Sequence, residues 1–171
     1  TDYCTQISKE DNQMKNMKEN TKKTVRILLR ANSTYQSEMD ESLSIQRELI
    51  IEEVKKHQNW ILDSKEYIVG NNVGDKDSVT DINVLQAALR DAENREYDIL
   101  VSDKDDRLGR RMLEIPMNIM SLKHLGVDVY TVKDGLLTLD LGDITGMLML
   151  SMRYAMAEKS SSDTEMHINT I

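Results

Sequence analysis

From Thr24 onward, apolar runs no longer than a strand alternate with segments whose apolar residues recur at helical spacing, and this alternation constrains the fold more than any other feature. Val25 to Leu29 is the first strand, stopped by the polar stretch Arg30-Ala31-Asn32-Ser33-Thr34. From Leu43, the residues Ile45, Leu49, Ile50 and Val54 mark an amphipathic helix that ends before Trp60. Lys65 to Val69 reads as a second strand, followed by a turn-rich loop from Gly70 to Asp75. A helix from about Thr80 carries Ile82, Leu85, Ala88, Leu89 and Ala92 on one face, with Thr80 or Asp81 as N-cap. Tyr97 to Val101 is a third strand, and the polar stretch Ser102 to Arg111 leads into a helix reaching His124 and stopped by Gly126. Pro116 either sits in an early turn of that helix or kinks it. Val127 to Val132 is a fourth strand, Leu136 to Leu141 a weaker one, and a long last helix opens near Asp143.

Short strands and helices in this order predict an α/β fold, a mostly parallel sheet flanked by helices with a long C-terminal helix. In such sheets ligands bind outside the carboxyl ends of the strands. The two most polar of these ends are Arg30 to Gln36 and Asp103 to Arg111, so the site is expected where they meet.

The chain of 171 residues accommodates one domain, taken as 24–171, with residues 1–23 as a polar N-terminal extension that is either mobile or a short exposed helix. Its net charge of -8 gives no general attraction to nucleic acid or an anionic membrane, so contact with DNA has to come from a local basic cluster. The lone Cys4, in the polar extension, leaves no internal disulfide or cysteine-based zinc site and points to a reducing compartment. No apolar run is of membrane-spanning length and no signal peptide is visible, which makes a cytoplasmic location the expectation. No cofactor or metal site is expected: Asp105 and Asp106 have no second acidic cluster or paired histidines, and His57, His124 and His167 read as surface residues. Eleven Met and no Phe are unusual but read as ordinary packing, since Met fills cores as Phe does.

The last helix is apolar almost all round, with Ile144, Met147, Leu148, Met149, Leu150, Met152, Tyr154, Ala155 and Met156. It is either a subunit interface or a core helix covered on all sides.

Arg107, Arg110 and Arg111 gather guanidinium groups where a strand gives way to a helix, an arrangement suited to bidentate holding of phosphate. Standing alone they could equally be a solvated basic face paired with Asp103, Asp105 and Asp106. Here, however, Lys104-Asp105-Asp106-Arg107-Leu108-Gly109-Arg110 resembles the Lys-x-Asp-Arg-Leu-(Ser or Gly)-Arg motif of the serine recombinases, the resolvase and invertase family and the large serine integrases. Arg30-Ala31-Asn32-Ser33-Thr34-Tyr35-Gln36 resembles the family's Tyr-x-Arg-x-Ser-Thr-x-x-Gln opening, and Ser42 to Arg47, with Gln46, resembles the segment after it. Gly126 to Tyr130, Gly146 and Ala157-Glu158 also fall where the family has them, so the resemblance runs from about Thr24 to the C-terminus.

The resemblance implies a resolvase-like three-layer sandwich and a metal-free transesterase that exchanges DNA strands through a phosphoserine link. It implies Arg30, Asp106, Arg107 and Arg110 as catalytic residues, with Gln36 and Gln46 in support. It further implies DNA as partner and a homo-oligomer, a dimer becoming a tetramer in the active complex, joined through the final helix.

This chain departs from the family pattern at specific residues. The register places Asn32, which has no attacking hydroxyl, at the nucleophile position; Ser33 adjoins it and serves if the loop is shifted by one residue. The arginine the family carries at the start of its second helix is replaced by Ile82 or a neighbour, with only Lys76 nearby. Ser160-Ser161-Ser162-Asp163-Thr164 stands where the family often has arginines. No helix-turn-helix or zinc ribbon is recognisable, so a DNA-binding part is expected on a further C-terminal region or not at all. The two readings are therefore an active recombinase domain and a catalytically silent member acting as a regulatory or structural oligomerisation module. A phosphoreceiver domain lacks its acidic pair after the first strand, and a nucleotide-binding domain its glycine-rich turn.

Overall fold

A computed structural model describes residues 21–31, 36–70, 79–109, 114–138 and 145–156. Strand β1 (Lys23–Arg30) leads to helix α1 (Gln36–Lys55), β2 (Trp60–Val69), α2 (Val79–Glu93) and β3 (Ile99–Ser102). A single 3-10 turn (Asp105–Leu108) precedes α3 (Glu114–His124), β4 (Asp128–Thr131) and the two-residue β5 (Gly135–Leu136). Residues 145–156 form a further helix, α4. The sheet order is β2-β1-β3-β4-β5, with every pairing parallel except β4 with β5. This is the expected α/β sandwich: a mostly parallel sheet between two helical layers.

β1 is central because its side chains are apolar toward both layers. Val25, Ile27 and Leu29 pack under α1 with Leu43, Ile50 and Val54. Leu28 faces the other layer with Tyr67, Ala88, Leu100, Ile119 and Leu150. A strand buried on both faces loses the alternation of an exposed sheet and reads as a continuous apolar run.

The boundaries differ from the sequence reading where charge masks a regular element. β2 begins at Trp60, not Lys65. Its polar middle, Asp63 to Glu66, is tolerated because it is an edge strand and its carboxylates have partners: Arg26 Nε donates to Asp63 at 2.6 Å, and Arg47 holds Glu66 through two bonds of 2.8 Å. α1 begins at Gln36, well before Leu43, because its first two turns present mostly exposed residues, with only Met39 packed on the core, and carry no apolar period. The weak strand expected over Leu136 to Leu141 is reduced to Gly135–Leu136; Leu137 turns into the core and Thr138 Oγ1 donates to Asp128 at 3.0 Å. Pro116 is the third residue of α3, where the missing N–H is one the helix could not use. Gly126, with φ of 86°, ends the chain's run from α3 in the left-handed conformation. The start of the last helix near Asp143 and most of the N-terminal extension lie outside the described residues.

Arg26 lies on β1 but is 6% exposed, so its charge must be met inside the fold. Its guanidinium donates to Asp63, to Tyr67 Oη (2.8 Å), to Asp91 (2.7 Å) and to Glu96 (2.9 Å). Tyr67 also donates to Asp91, at 2.5 Å, and Lys65 pairs with the same carboxylate. One arginine thereby joins β1, edge strand β2 and the C-terminal end of α2. The hydrogen bond from Arg26 holds the Asp63 carboxyl below its ordinary value; for Asp91, burial pulls upward and is outweighed by Lys65 and Tyr67. Groups so depressed add stability that is fully present above the ordinary value of about 3.9 and lost as pH falls through the folded-state value. Arg26→Met should cost about 3–5 kcal/mol in urea unfolding at neutral pH by stranding these carboxylates. The acid loss of stability below pH ~4 should also be shallower in that variant than in the wild type, as Asp63 loses its depression.

Candidate active site

Strand order turns back at β1: the chain leaves β1 for β2 on one side and returns across it to β3 on the other. The carboxyl ends of β1 and β3 are thus the switch point at which open α/β sheets bind ligands. Arg30 ends the first and Ser102 the second, with Asp103 to Gly109 directly following.

β3 pairs with β1 only along Val25 to Ile27, so Arg30 extends past its neighbour. The buried Gln46 of α1 takes the place of that missing strand. Arg30 N–H donates to Gln46 Oε1 at 3.1 Å, and the Gln46 amide donates to the Arg30 carbonyl at 2.9 Å and to Ser42 Oγ at 3.2 Å. On the opposite edge Ala31 N–H donates to the Val69 carbonyl at 2.8 Å. Gly70 follows with φ of 91°, and a Cβ there would lie 2.3 Å from the Ala31 oxygen. The end of β1 is therefore gripped from both sides, by one glutamine and by one close backbone approach.

The second element is the turn Asp105–Leu108. Arg107, 7% exposed, donates through Nε and Nη2 to the two oxygens of Asp103 at 2.8 and 3.0 Å, a bidentate pair. Burial works against the charge, yet the Asp103 carboxylate outweighs it, so the guanidinium is held above its ordinary value. Asp106 lies 3.5 Å from Arg107 Nη1 with its carboxylate half exposed. Ser102 Oγ donates to the Lys104 carbonyl at 2.8 Å, and Asn118 of α3 to the Leu108 carbonyl at 2.6 Å. Gly109 is extended, but a Cβ would meet that of Glu114 at 2.7 Å, so the turn folds against the start of α3 only with glycine there.

Arg30 joins the two elements: its Nη1 donates to the Asp106 carbonyl at 2.7 Å. The structure thus brings Arg30 and Gln46 together with the turn that carries Asp106 and Arg107. Arg107 is paired with Asp103, as the alternative of a basic face required, but the pair is buried and not solvated. Asn32, Ser33, Arg110, Lys76 and the stretch Ser160 to Thr164 lie outside the described residues; Gln36 opens α1, and Ile82 lies within α2. Sequence reasoning named Asp103 only as a partner within a solvated basic face, and missed Asn118 as a support of the turn and Tyr154 of α4, whose hydroxyl donates to Asp105 at 2.6 Å. The spacing of Asp103 and Arg107 was a usable signal; nothing local marks Asn118 or Tyr154.

The model of the family described as "Resolvase, N terminal domain" matches residues 27–169, most of the chain. The chain belongs to this family. Among solved structures, this resolvase domain is similar to the N-terminal catalytic domain of TP901-1 integrase, with 21% identity, 84% of this chain and 99% of that one covered, and a TM-score of 0.58. It is also similar to a resolvase family site-specific recombinase from Streptococcus pneumoniae, with 17% identity, 85% and 95% covered, and a TM-score of 0.61. At these identities the likeness is one of fold. No curated protein matches the sequence. The expected membership and resolvase-like sandwich are therefore correct.

Among the described residues no three or more His, Cys, Asp or Glu side chains are grouped to hold a metal ion, and no helix is long and apolar enough to cross a membrane. His57 stacks on Trp60 at 3.9 Å, in a packing role away from the arginines.

Gln46→Leu, which keeps volume but removes the amide, should destabilise the resolvase domain by about 1–3 kcal/mol in urea unfolding by depriving Arg30 of these partners. Gly109→Ala should cost about 1–3 kcal/mol by overpacking against Glu114. Because Gly109 makes no contact through a polar side chain, the loss in that variant would measure the close approach alone.

Proposed function

We propose that the chain is the catalytic domain of a site-specific DNA recombinase that cleaves and exchanges strands through a phosphoserine intermediate. The reading is carried by the meeting of Arg30 with the Asp106–Arg107 turn at the switch point, in a chain of the resolvase family. A guanidinium at a strand end and a second one in the following turn can neutralise the non-bridging oxygens of a phosphodiester as negative charge grows in the transition state. With Ser33 as nucleophile, its Oγ gains a bond to phosphorus as the bond from phosphorus to the leaving sugar oxygen breaks. The serine gives up its proton and the leaving oxygen takes one up, so a hydroxyl strand end is released. The reverse reaction with another end joins the new strand and returns the serine. Arg30, Arg107 and Arg110 are the charge stabilisers, Asp106 a further member of the catalytic motif, and Gln36 and Gln46 supports. No cofactor takes part, and DNA is the partner, in the cytoplasm.

Asn32 favours a second reading, a silent member that keeps the fold and its assembly surface. The two are separated by incubation with a suicide DNA substrate, the chain being fused to a DNA-binding module. A covalent adduct abolished by Ser33→Ala is the outcome expected of an active domain. An inert chain in which Asn32→Ser creates cleavage is instead the silent form, and inertness in both defeats the recombinase reading.

The same proposal includes a homodimer, a tetramer in the active complex, joined through α4. Leu150 and Tyr154 are buried, whereas Leu148, Met149, Met152 and Met156 are all more than half exposed, so α4 is not a helix covered on all sides by its own chain. A groove of about 600 Å³ lies between α2, α3 and Met147 of α4, lined by Leu89, Met117, Met120 and Leu125 with Gln86, Arg90, Glu93, Ser121 and His124. A second copy's α4 fits it by chemistry, and burying two methionines contributes on the order of 3–6 kcal/mol. Replacing Met149 and Met152 by Lys should give a folded monomer by light scattering; a monomeric wild type would refute the interface.

A further inference from the structure

We propose that Tyr154 is a positioning residue, a latch through which helix α4 sets the geometry of the arginine-bearing turn. Its phenol crosses from α4 to donate a 2.6 Å hydrogen bond to Asp105 Oδ2, forty-nine residues away in sequence. Tyr154 is 7% exposed and packs in the same apolar cluster as Leu108, Ile115 and Leu150, where a ring without a hydroxyl would fill the space equally well. The hydroxyl therefore serves a directed contact.

Asp105 is the first residue of the turn, and what it touches is propagated over a single peptide. The next carbonyl, that of Asp106, is the one Arg30 Nη1 bonds at 2.7 Å, and the next side chain, Arg107, is locked to Asp103. A 3-10 turn of four residues has few internal hydrogen bonds to fix it, so contacts from outside set its place. Asn118 holds its far end through the Leu108 carbonyl, and Tyr154 holds its near end. On the neighbouring turn position of α4, Arg153 reaches Asp134 at 3.6 Å, so the helix is anchored both to the β4–β5 connection and to the arginine site.

The placement on α4 gives the latch a regulatory meaning. Tyr154 lies between Met152 and Met156, which face outward on the opposite flank of the helix. A body that seats on that flank and shifts α4 moves the phenol with it, and the shift reaches Arg30 and Arg107 through Asp105. Burial, and then the Asp105 carboxylate, push the phenol above its ordinary value, so it stays a proton donor throughout the neutral range. The inference rests on the recombinase reading only in taking the arginines as phosphate binders.

The test uses the full chain with 15N-labelled arginine, following the Nε–Hε resonances of Arg30 and Arg107 by NMR with and without inorganic phosphate. Tyr154→Phe and Asp105→Leu should each shift both resonances in phosphate-free protein and weaken phosphate binding about three- to ten-fold, the scale of one hydrogen bond. Asp105→Asn keeps an acceptor oxygen and should restore wild-type resonances, a rescue that packing alone does not explain. Unmoved resonances in Tyr154→Phe would overturn the latch. If Tyr154→Phe fails to fold, Asp105→Leu carries the same readout, since Asp105 is outside the core cluster. Shifted resonances in a protein that does not bind phosphate would uphold the latch and count against the phosphate-binding reading. Phosphate binding with resonances and affinity indifferent to Tyr154 would do the reverse.

Discussion

Strand β1 is paired along both edges and covered on both faces, and the placement of every charged group near the sheet's centre follows from that. An arginine on such a strand cannot shed its charge and cannot reach water without leaving its place. Arg26, in the middle, is consumed by carboxylates and a phenol from β2, α2 and the loop beyond it. Arg30, at the end, lies beyond the pairing with β3, which stops at Ile27, and its side chain turns to the Asp106 carbonyl. Two arginines four residues apart on one strand thus have different surroundings, one held among carboxylates and one reaching the Asp105–Leu108 turn, because the pairing with β3 stops between them.

The turn that meets Arg30 depends on its surroundings. Arg30, Asn118 and Tyr154 reach it from three different elements, and Asp103 from the connection that precedes it. Such a turn is well placed to report on the position of those elements. The price of that responsiveness is local stability: a four-residue turn buries little apolar surface of its own beyond Leu108.

The electrostatics of the domain have a local character that its total charge of -8 conceals. Arg26, Arg47 and Arg107 are each matched to carboxylates on the same molecule.

The order of strands and helices, the parallel sheet and the two polar strand ends were legible in the sequence, because periodicity and the run Val25 to Leu29 report burial on one face or two. The motif from Lys104 to Arg110 was legible too, as a resemblance borne by residue identity and spacing. Edge strand β2 was legible only in its second half: Asp63 looks like a loop residue until Arg26 is seen to meet it. The dual grip of Gln46 on the Arg30 backbone and the reach of Tyr154 to Asp105 were decided by tertiary structure alone. Local sequence encodes propensity and the face a residue presents, whereas a hydrogen bond between residues forty-nine apart exists only once the sheet order has brought their elements together.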